Sequence, residues 1–413
     1  MQFRSLQDAA DDTTAPAVRI GEPEWASLRS RAYNLRWATV VQGVIPLTAA
    51  DPDLPIAPGI GEAIARYVAT PHLCYGPAAG LPEFTRAVAR HFADTKMAAL
   101  DAARVTAANS AASALMLVAR HVVMPGDEVV VQDPVDFLVA ESVRRAGATV
   151  RRWEPDADGP DRGRFTLRGL KAVVTEATRA IAVCHPHNPM GTLLSPEEVR
   201  AIARFAADRR MTVISDEVWS DVVLDGRPFE SFAAHAGGRD GLQAWVVYGL
   251  SKGYGLAGLR IGAVIAPDAA AAAAFRAAQG FELTIEGAAT LSQIAAVAAL
   301  EGAGAWRAAF LEHAAAQRDR AIERLSALRG VRVRIRPEAT FVLFLDISAT
   351  GLDEETVAQR LEVLAGVKVV PGSPRWFGAG AAGHVRLSLA TTRGVLDEAL
   401  DRIAFSWESV LAA

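Results

Sequence analysis

Six short apolar runs along the middle of the chain, separated by helix-like stretches, restrict the fold most strongly. They are rich in valine and isoleucine and are candidate strands: Asp127–Val131, Thr149–Trp153, Ala180–Cys184, Thr212–Ser215, Ala244–Tyr248 and Gly262–Ala266. Ala111–Val123 and Pro196–Arg209 have the apolar spacing of amphipathic helices. These apolar runs indicate strands that are buried on both faces, as in a mostly parallel sheet between layers of helices. This pattern predicts an α/β fold with a mostly parallel sheet, in a large domain over residues 48–292.

The last third of the chain has a different character. Residues 305–329 have apolar positions at helical spacing. The segments that follow are predicted as strand, strand, helix, strand, strand and helix: Val331–Ile335, Thr340–Asp346, Glu354–Leu364, Val367–Val370, His384–Leu389 and Arg393–Val410. We therefore predict a smaller α+β domain made of residues 1–47 and 293–413, packed against the large domain.

The charge balance and the cysteine content exclude several classes of protein. With 43 basic and 47 acidic residues the net charge is −4, which gives no electrostatic reason to expect nucleic acid or a membrane surface as partner. Cys74 and Cys184 are the only cysteines, so no disulfide framework is expected. The N-terminus is polar and no apolar run is long enough to span a membrane. We predict a cytoplasmic protein without a metal site.

Lysine is unusually rare, and one lysine lies in a conspicuous place. Only four of the 43 basic residues are lysine. Lys252 lies in an apolar, glycine-rich segment, where the chain elsewhere prefers arginine. A lysine whose pKa is lowered by burial can act as a nucleophile or base, which arginine cannot do. Lys252 is therefore a candidate reactive group.

Two other interpretations of the segment 248–262 compete with this one. Gly253-x-Gly255-x-x-Gly258 resembles a dinucleotide fingerprint, but the next strand begins near Gly262 and leaves no room for the required helix. Gly249-x-Ser251-x-Gly253 matches a nucleophile elbow. That hydrolase alternative needs a histidine, for which His313 and His384 are available, and it stays open at this point.

Pyridoxal phosphate chemistry offers a third interpretation, because it needs a set of groups for which this chain has candidates. The set comprises a lysine, an acid for the pyridinium nitrogen, a donor to the ring hydroxyl, phosphate ligands and a cation for the substrate carboxylate. Lys252 is the candidate lysine, Asp216 the acid and Asn188 the donor to the ring hydroxyl. The candidate phosphate ligands are Ser251, Arg260 and the helix start at Ser110, Ala111 and Ala112, and Arg386 is the candidate cation for the substrate carboxylate.

Taken together, these residues resemble the fold-type I pyridoxal phosphate enzymes of the class I/II aminotransferase family. Asn188-Pro-x-Gly191, Asp216-Glu217 and Ser251-Lys252-(x)7-Arg260-x-Gly262 stand in the family's order. The resemblance implies a large domain with a seven-stranded sheet, bound pyridoxal phosphate, and an amino acid substrate. It also implies a homodimer with the active site at the interface, where Tyr75 would reach the neighbouring subunit's phosphate.

Three segments resemble one branch of this family, the MalY/PatB-type cystathionine β-lyases. They are Leu35-Arg-Trp37, Ala50-Asp-Pro-Asp-Leu54 and Pro186-His-Asn-Pro189, and Trp219 stands where most aminotransferases have tyrosine. This implies a C–S β-lyase that cleaves an S-substituted L-cysteine to thiol, pyruvate and ammonia. An aminotransferase acting on an L-amino acid is the nearest alternative, and a regulatory protein that binds pyridoxal phosphate is a further one.

The chain also departs from the family pattern around the cofactor. Asp136 stands where an aromatic residue would stack on the ring, and Phe137 could substitute for it after a small backbone shift. Gly249 replaces a serine that would bind the phosphate, and the phosphate loop has alanine in place of its usual glycine. The departures are compatible with a specialised substrate, for example in secondary metabolism.

Overall fold

The structure is a computed structural model that describes Leu28 and residues 35–412, except 158, 160 and 238–240. Most of residues 1–34, which belong to the predicted N-terminal part of the small domain (residues 1–47), therefore lie outside the described residues. The strands, in chain order, are β1 (Ile45–Pro46), β2 (Val105–Ala108), β3 (Glu128–Gln132), β4 (Thr149–Trp153), β5 (Thr178–Cys184), β6 (Thr212–Asp216), β7 (Ala244–Gly249), β8 (Gly262–Ile265), β9 (Val342–Asp346), β10 (Val367–Lys368), β11 (Val370–Pro371) and β12 (His384–Ser388).

A mostly parallel seven-stranded sheet confirms the predicted fold class. Its strand order is β2-β8-β7-β6-β5-β3-β4. The neighbouring strands β7, β6, β5, β3 and β4 pair in parallel, whereas β8 is antiparallel to both of its neighbours, β7 and β2. All positions of β7 and β8 are buried, as expected for a sheet covered by helices on both faces. Each of the six predicted strands is present to within two residues, while the edge strand β2, weakened by two alanines, was not predicted.

The α-helices of the described residues surround this sheet or pack against the C-terminal strands. They are α1 (Leu35–Ala38), α2 (Pro58–Val68), α3 (Pro82–Thr95), α4 (Ala111–Val122), α5 (Phe137–Arg145), α6 (Leu167–Val173), α7 (Pro196–Asp208), α8 (Ala269–Ala278), α9 (Thr290–Gly302), α10 (Gly304–Ser326), α11 (Glu354–Arg360), α12 (Pro374–Phe377) and α13 (Arg393–Ala412). The start of α7 is fixed by a capping box, in which Ser195 and Glu198 bond each other's backbone N–H groups.

A second, smaller sheet has its own hydrophobic cluster. Its strand order is β11-β12-β9, with antiparallel pairing, and β1 pairs separately with β10. The second cluster includes Leu343, Val367 and Leu396. Helix α10 contributes to both clusters, because Phe310 lies in the first and Leu325 in the second.

The predicted strand Val331–Ile335 is wrong. Its alternation of apolar residues with arginine is typical of a half-buried strand. Arg332 instead forms a single antiparallel bridge with Asp346. The backbone bends at residues 334–335, directly after that bridge, and no ladder continues along β9.

Among the described residues, no single helix has both the length and the apolar character needed to cross a membrane. The pair α9 and α10 meets that test only when its members are counted together, and the two are bent by 81°.

Candidate active site

Three of the predicted site residues meet at the carboxyl end of the parallel strands. Asp216 is the last residue of β6, Asn188 follows β5, and Lys252 follows β7. The register pairs Cys184 with Asp216 and Asp216 with Val247. Because neighbouring parallel strands end at the same edge, the loops that follow them lie side by side. This edge is where ligands bind in open α/β sheets.

Asp216 has a buried carboxyl group that no cation neutralises. Its Oδ1 accepts a hydrogen bond from the backbone N–H of Val218 at 3.1 Å, and the residue is 9% exposed. Burial raises the pKa of Asp216 to about 7, against the opposing effects of the Val218 bond and of the Lys252 charge. No ion pair to Asp216 occurs in the described part of the chain. A cationic ring nitrogen would satisfy this carboxylate.

Lys252 is held against the segment that follows β1. Its Nζ donates a hydrogen bond to the carbonyl oxygen of Ala50 at 2.6 Å and lies 5.4 Å from the centre of the Trp219 ring. Burial lowers the pKa of Lys252, while the carboxylates of Asp136 and Asp51 oppose that shift. The amine is thus closer to its neutral, reactive form than a surface lysine would be.

Asn188 links a carboxylate to a buried guanidinium group. Its Nδ2 donates to Asp136 Oδ2 at 2.9 Å, and its Oδ1 accepts from Arg386 Nη1 at 3.2 Å. Arg386 Nη2 donates to the carbonyl oxygen of Thr48 at 2.8 Å, and the guanidinium lies 5.0 Å from the centre of the Phe377 ring. Burial lowers the pKa of Arg386 to about 10. Its Nε is buried without an acceptor among the described residues, so the group retains capacity to bind an anion.

The start of α4 offers backbone N–H groups to an anion. Ser110 has a φ of 81° and caps the helix by accepting a hydrogen bond from the backbone N–H of Ser113 at 3.2 Å. The N–H groups of Ala111 and Ala112 have no acceptor among the described contacts. The N-terminus of a helix carries a partial positive charge and binds phosphate groups well.

Gly249 and Ala111, two positions at which this loop departs from the expected pattern, compete for the same space. A Cβ added at Gly249 would lie 3.0 Å from Ala111 Cβ and 3.1 Å from Val218 Cγ2. The Ala111 methyl group therefore fills the space that a side chain at position 249 would need. The loop also packs on Gly262, where an added Cβ would lie 2.8 Å from the Ala111 nitrogen.

We expect Gly249→Ser to lower the free energy of unfolding by about 1–3 kcal/mol, the usual cost of overpacking a close contact. Ala111→Gly in the same chain should restore most of the loss, because it removes the methyl group in contact. Urea unfolding of both single variants and the double variant measures this coupling. Additive effects of the two substitutions would show that they do not compete for one space.

The remaining predicted phosphate ligands lie toward solvent. Ser251 is half-buried and Arg260 is exposed, with a left-handed φ of 50°. Neither side chain has a hydrogen-bond partner in the described part of the chain. Tyr75 is 90% exposed. Their roles as phosphate ligands stay predictions.

The two predicted ring-contacting aromatics have different surroundings. Trp219 is 1% exposed and packs edge-on against Phe341, with ring centres 4.8 Å apart, so it contributes to the core as well as lying beside Lys252. Phe137 begins α5, and its ring packs against Trp376 at 5.9 Å. Asp136, rather than Phe137, lies among the charged groups of the site.

A buried charge network beneath the Lys252 loop is missing from the sequence predictions. The carboxylate of Asp221 accepts hydrogen bonds at 2.6–3.0 Å from four side chains: His91, Lys96, Tyr248 and Arg307. A Cβ added at Gly253 would lie 2.4 Å from Asp221 Cβ, so this loop rests directly on the network. The rarity of lysine, which singles out Lys252, applies equally to Lys96.

The two competing interpretations find no support in the geometry. His313 Nε2 bonds to the carbonyl oxygen of Thr391 at 2.9 Å, and His384 Nδ1 to that of Ala382 at 2.9 Å. The described contacts bring neither histidine to Ser251. Between β7 and β8 the described chain forms only a three-residue 3₁₀ turn, Ala257–Leu259, and no phosphate-binding helix.

Pyridoxal phosphate fits the groups that are present. The site has an amine at Lys252 for the aldehyde, and the unpaired carboxyl of Asp216 for the pyridine nitrogen. It also has free N–H groups at the start of α4 for the phosphate. Asn188 Nδ2 uses one hydrogen on Asp136 and keeps the other for the ring hydroxyl.

Comparison with known proteins identifies the family. The sequence model of aminotransferase class I and II matches residues 42–403. An aspartate/prephenate aminotransferase of Thermus thermophilus is 32% identical over 386 residues, which cover 92% of this chain and 94% of that protein. A Mycobacterium leprae protein provisionally named a cystathionine beta-lyase is 29% identical over 395 residues, which cover 90% of this chain and 94% of that protein.

A structural comparison agrees with the sequence comparison. The crystal structure of an aromatic aminotransferase from Pyrococcus horikoshii superposes with a TM-score of 0.80 and 28% identity, covering 90% of this chain and 98% of that one. This chain belongs to the class I and II aminotransferase family of enzymes that use pyridoxal phosphate.

Proposed function

We propose that this enzyme is an aminotransferase, which moves the amino group of an L-amino acid to a 2-keto acid. The observation that carries the proposal is the joint placement of three groups at one sheet edge: the Lys252 amine, the Asp216 carboxyl and the Arg386 guanidinium. The near full-length relative from Thermus thermophilus, which is named an aminotransferase, supports it. Because the three groups would serve a C–S β-lyase equally well, it is this relative that favours the aminotransferase over the C–S β-lyase.

The roles of the side chains follow from their environments. When bound, pyridoxal phosphate supplies the aldehyde that takes up the amino group and the ring that withdraws electrons from Cα. Lys252, whose pKa burial lowers, is suited to accept the proton from the substrate Cα. The carboxylate of Asp216 holds a proton on the ring nitrogen, since burial without an ion pair favours a cationic partner.

Arg386 is suited to bind the substrate carboxylate. Nη1 and Nη2 each use one hydrogen on a protein acceptor, Asn188 Oδ1 and the Thr48 carbonyl oxygen. One hydrogen on each nitrogen, together with Nε–H, stays available for a carboxylate. The fixed acceptors hold the guanidinium plane in place before the substrate arrives.

We expect Arg386→Ala to lower kcat/KM for amino acids by about 30-fold or more, the equivalent of at least about 2 kcal/mol for a buried charged contact. The loss should fall mainly on KM, because the carboxylate is bound in both ground and transition states. Arg386→Lys should recover only part of it, since lysine lacks the planar fork. An unchanged KM in the alanine variant would mean that the carboxylate binds elsewhere.

Dependence on a keto acid tests the proposal in steady state. Purified enzyme would be incubated with a panel of L-amino acids, with and without 2-oxoglutarate, and the new keto acids and glutamate measured. An aminotransferase forms both products in equal amounts, and only when 2-oxoglutarate is present. Ammonia release that is independent of 2-oxoglutarate would contradict the proposal.

A C–S β-lyase is the second candidate. Trp219 and the segments Ala50–Leu54 and Pro186–Pro189 favour it, as does the relative from Mycobacterium leprae with its provisional lyase name. Both reactions begin with loss of the Cα proton, for which Lys252 is equally suited. In the same assay a lyase would release pyruvate, ammonia and thiol from S-substituted cysteines without any keto acid.

We propose two domains, residues 48–292 and residues 293–413 with the N-terminal segment. The two hydrophobic clusters support a division into two parts, although the first cluster extends past residue 292 to Ala295, Phe310 and Phe341. Helix α10 would join the two parts, since its ends contribute to different clusters.

We further propose a homodimer with Tyr75 at the interface. Tyr75 is exposed together with two apolar side chains of its own segment, Val68 and Leu73, and Leu283 and Ile285 are exposed as well. Thr290 Oγ1 donates to the carbonyl oxygen of Cys74 at 3.5 Å, so the chain shortly after residues 283–285 contacts the Tyr75 segment. Exposed apolar side chains that together form a large patch are typical of an interface.

Mixing two inactive variants tests the shared site. We expect Tyr75→Ala and Lys252→Ala each to be impaired alone, and an unfolded-and-refolded equal mixture to recover up to about a quarter of wild-type activity, because each mixed dimer holds one intact site. Light scattering would establish the dimer. If the mixture is no more active than its components, Tyr75 and Lys252 do not act across an interface.

A further inference from the structure

A cavity of about 620 Å³ opens beside Arg386 on the side of α11 and α12. Arg386 and Asp136, both part of the cluster around Asn188, form its inner end. Phe137 and Trp376 line its wall. Because Arg386 is suited to hold the substrate carboxylate, the cavity lies where the rest of an amino acid could extend.

One face of α11 and the turn that follows it form the outer side of this cavity. The residues on it, Glu355, Ala358, Gln359 and Glu362, follow helical spacing. Lys368 also lines the cavity, but its Nζ pairs with Glu362 Oε1 at 3.0 Å. Glu355 is exposed and has no ion pair in the described part of the chain.

The charges around the cavity leave an excess of acid. Arg36 is paired with the buried carboxylate of Asp53, so it does not act as a free cation. Among the described residues, Asp136 accepts hydrogen bonds from Asn188 and from a backbone N–H, both neutral, and its carboxylate also faces the charge of Lys252. Once a substrate carboxylate neutralises Arg386, Lys252 is the cation left to balance Asp136, and Glu355 has no cationic partner in the described part of the chain. A cationic group in the cavity would then be attracted mainly by Glu355 at the outer end, with Asp136 adding to the attraction.

The aromatic walls suit a flat cation as well. Arg386 lies 5.0 Å from the centre of the Phe377 ring, and Arg375 lies 4.8 Å from the centre of the Trp376 ring on the side of a neighbouring cavity. These rings therefore already accept guanidinium groups on their faces. Trp376 and Phe137 present further ring surface to the cavity.

We propose that this cavity binds the cationic side chain of the substrate, which makes the enzyme specific for basic L-amino acids. This inference rests on the proposed function, because it assumes that Arg386 holds the α-carboxylate of an amino acid. Asp136 acts at the inner end and Glu355 at the outer end. Trp376 and Phe137 cover the aliphatic part of the side chain between them.

Binding of unreactive analogues tests the cavity without any turnover. The probes are δ-guanidinovalerate and δ-ureidovalerate, which lack the α-amino group and differ chiefly in charge. Calorimetric titration of the cofactor-loaded enzyme should show the guanidino compound binding at least about tenfold more tightly. Equal affinity for the two compounds would overturn the proposal, even if the enzyme proved to be an aminotransferase.

Two variants assign the preference to the acids. Asp136→Asn keeps the oxygen that caps α5 but puts an amide nitrogen where Oδ2 accepts from Asn188, so circular dichroism and the unfolding midpoint must verify its fold. We expect it to lower the ratio of guanidino to ureido affinity by about threefold at most, because Lys252 balances part of the Asp136 charge, and Glu355→Gln to lower it by about threefold, because Glu355 is exposed. The control Glu323→Gln, an exposed site on α10 outside the cavity, should leave the ratio unchanged. Equal ratios in all variants would remove both acids from the site.

Turnover then separates the two proposals. With 2-oxoglutarate as acceptor, kcat/KM for L-arginine should exceed that for L-citrulline by at least about tenfold. Transamination with no such preference would overturn the substrate class and leave the proposed function standing. If the guanidino analogue binds more tightly than the ureido analogue but no amino acid is transaminated, the proposed function is overturned, and the proposal that the cavity binds a cation stands.

Discussion

Lys252→Ala should lower kcat for transamination by at least about 10³-fold, the range by which a positioned acid–base group accelerates a reaction. Lys252 is the lysine that lies at this edge of the sheet. Its Nζ donates a hydrogen bond to the carbonyl oxygen of Ala50, which holds the amine at the site. Among the described residues, no other lysine lies beside Asp216 that could replace Lys252 as the base. The fold should persist, because the alanine variant removes an amine that forms no ion pair there.

Two further variants make this result specific. Lys252→Arg keeps the positive charge but cannot release a proton, so it should be as inactive as the alanine variant. Lys171→Ala, at an exposed lysine on α6, is the matched control and should keep full activity. Circular dichroism and the unfolding midpoint would verify the fold of each variant. Substantial turnover in either Lys252 variant would refute the mechanism.

Asp221→Asn should lower the free energy of unfolding by about 3–5 kcal/mol, the usual cost of breaking a buried ion pair from one side. Asp221 is 2% exposed and its carboxylate bonds to Lys96 and Arg307. Lys96 is itself 1% exposed, so without Asp221 its charge would lie in the core unneutralised. An asparagine side chain would also bring a donor into a cluster of donors.

The matched control for this effect is an exposed ion pair. Glu408 Oε2 pairs with Arg329 Nη2 at 2.7 Å, with both side chains mostly exposed. Glu408→Gln should therefore cost no more than about 1 kcal/mol. Urea unfolding at one pH measures both variants. Equal costs for the two would show that the Asp221 network adds no more stability than a surface pair.

The central sheet could be predicted well because local pattern and burial agree there. The runs of valine and isoleucine in β3 and β5–β8 are short, mostly apolar and well separated along the chain, and all were placed to within two residues. The segment Val331–Ile335 has an equally clear pattern. It forms no strand, because the backbone bends at residues 334–335 after the single bridge at Arg332, and periodicity does not record such a bend.

Site residues that stand in a sequence motif could be predicted, whereas features that depend on a contact between residues far apart in the chain could not. Lys252 and Asp216 stand in spaced motifs, and the structure places both at the sheet edge. The compensation between Gly249 and Ala111 depends on a contact of 3.0 Å that neither position reveals alone. The link from Asp136 through Asn188 to Arg386 likewise joins three separate elements.

The reaction type depends on steps after loss of the Cα proton, and the groups at the sheet edge serve those steps in both candidate reactions. Trp219 illustrates the difficulty. It differs from the tyrosine usual in aminotransferases, yet it also fills the core against Phe341. Substrate chemistry, rather than further description of the site, separates the transferase from the lyase.

The most direct test is a single-turnover spectrum of the cofactor-loaded enzyme. Excess L-arginine would be added without a keto acid, followed by 2-oxoglutarate, while the visible absorbance of the bound cofactor is recorded. We predict that the absorbance is lost once, does not return by itself, and recovers only when 2-oxoglutarate is added. With L-cystathionine in place of L-arginine, spontaneous recovery accompanied by repeated release of pyruvate would contradict the aminotransferase assignment and establish β-elimination.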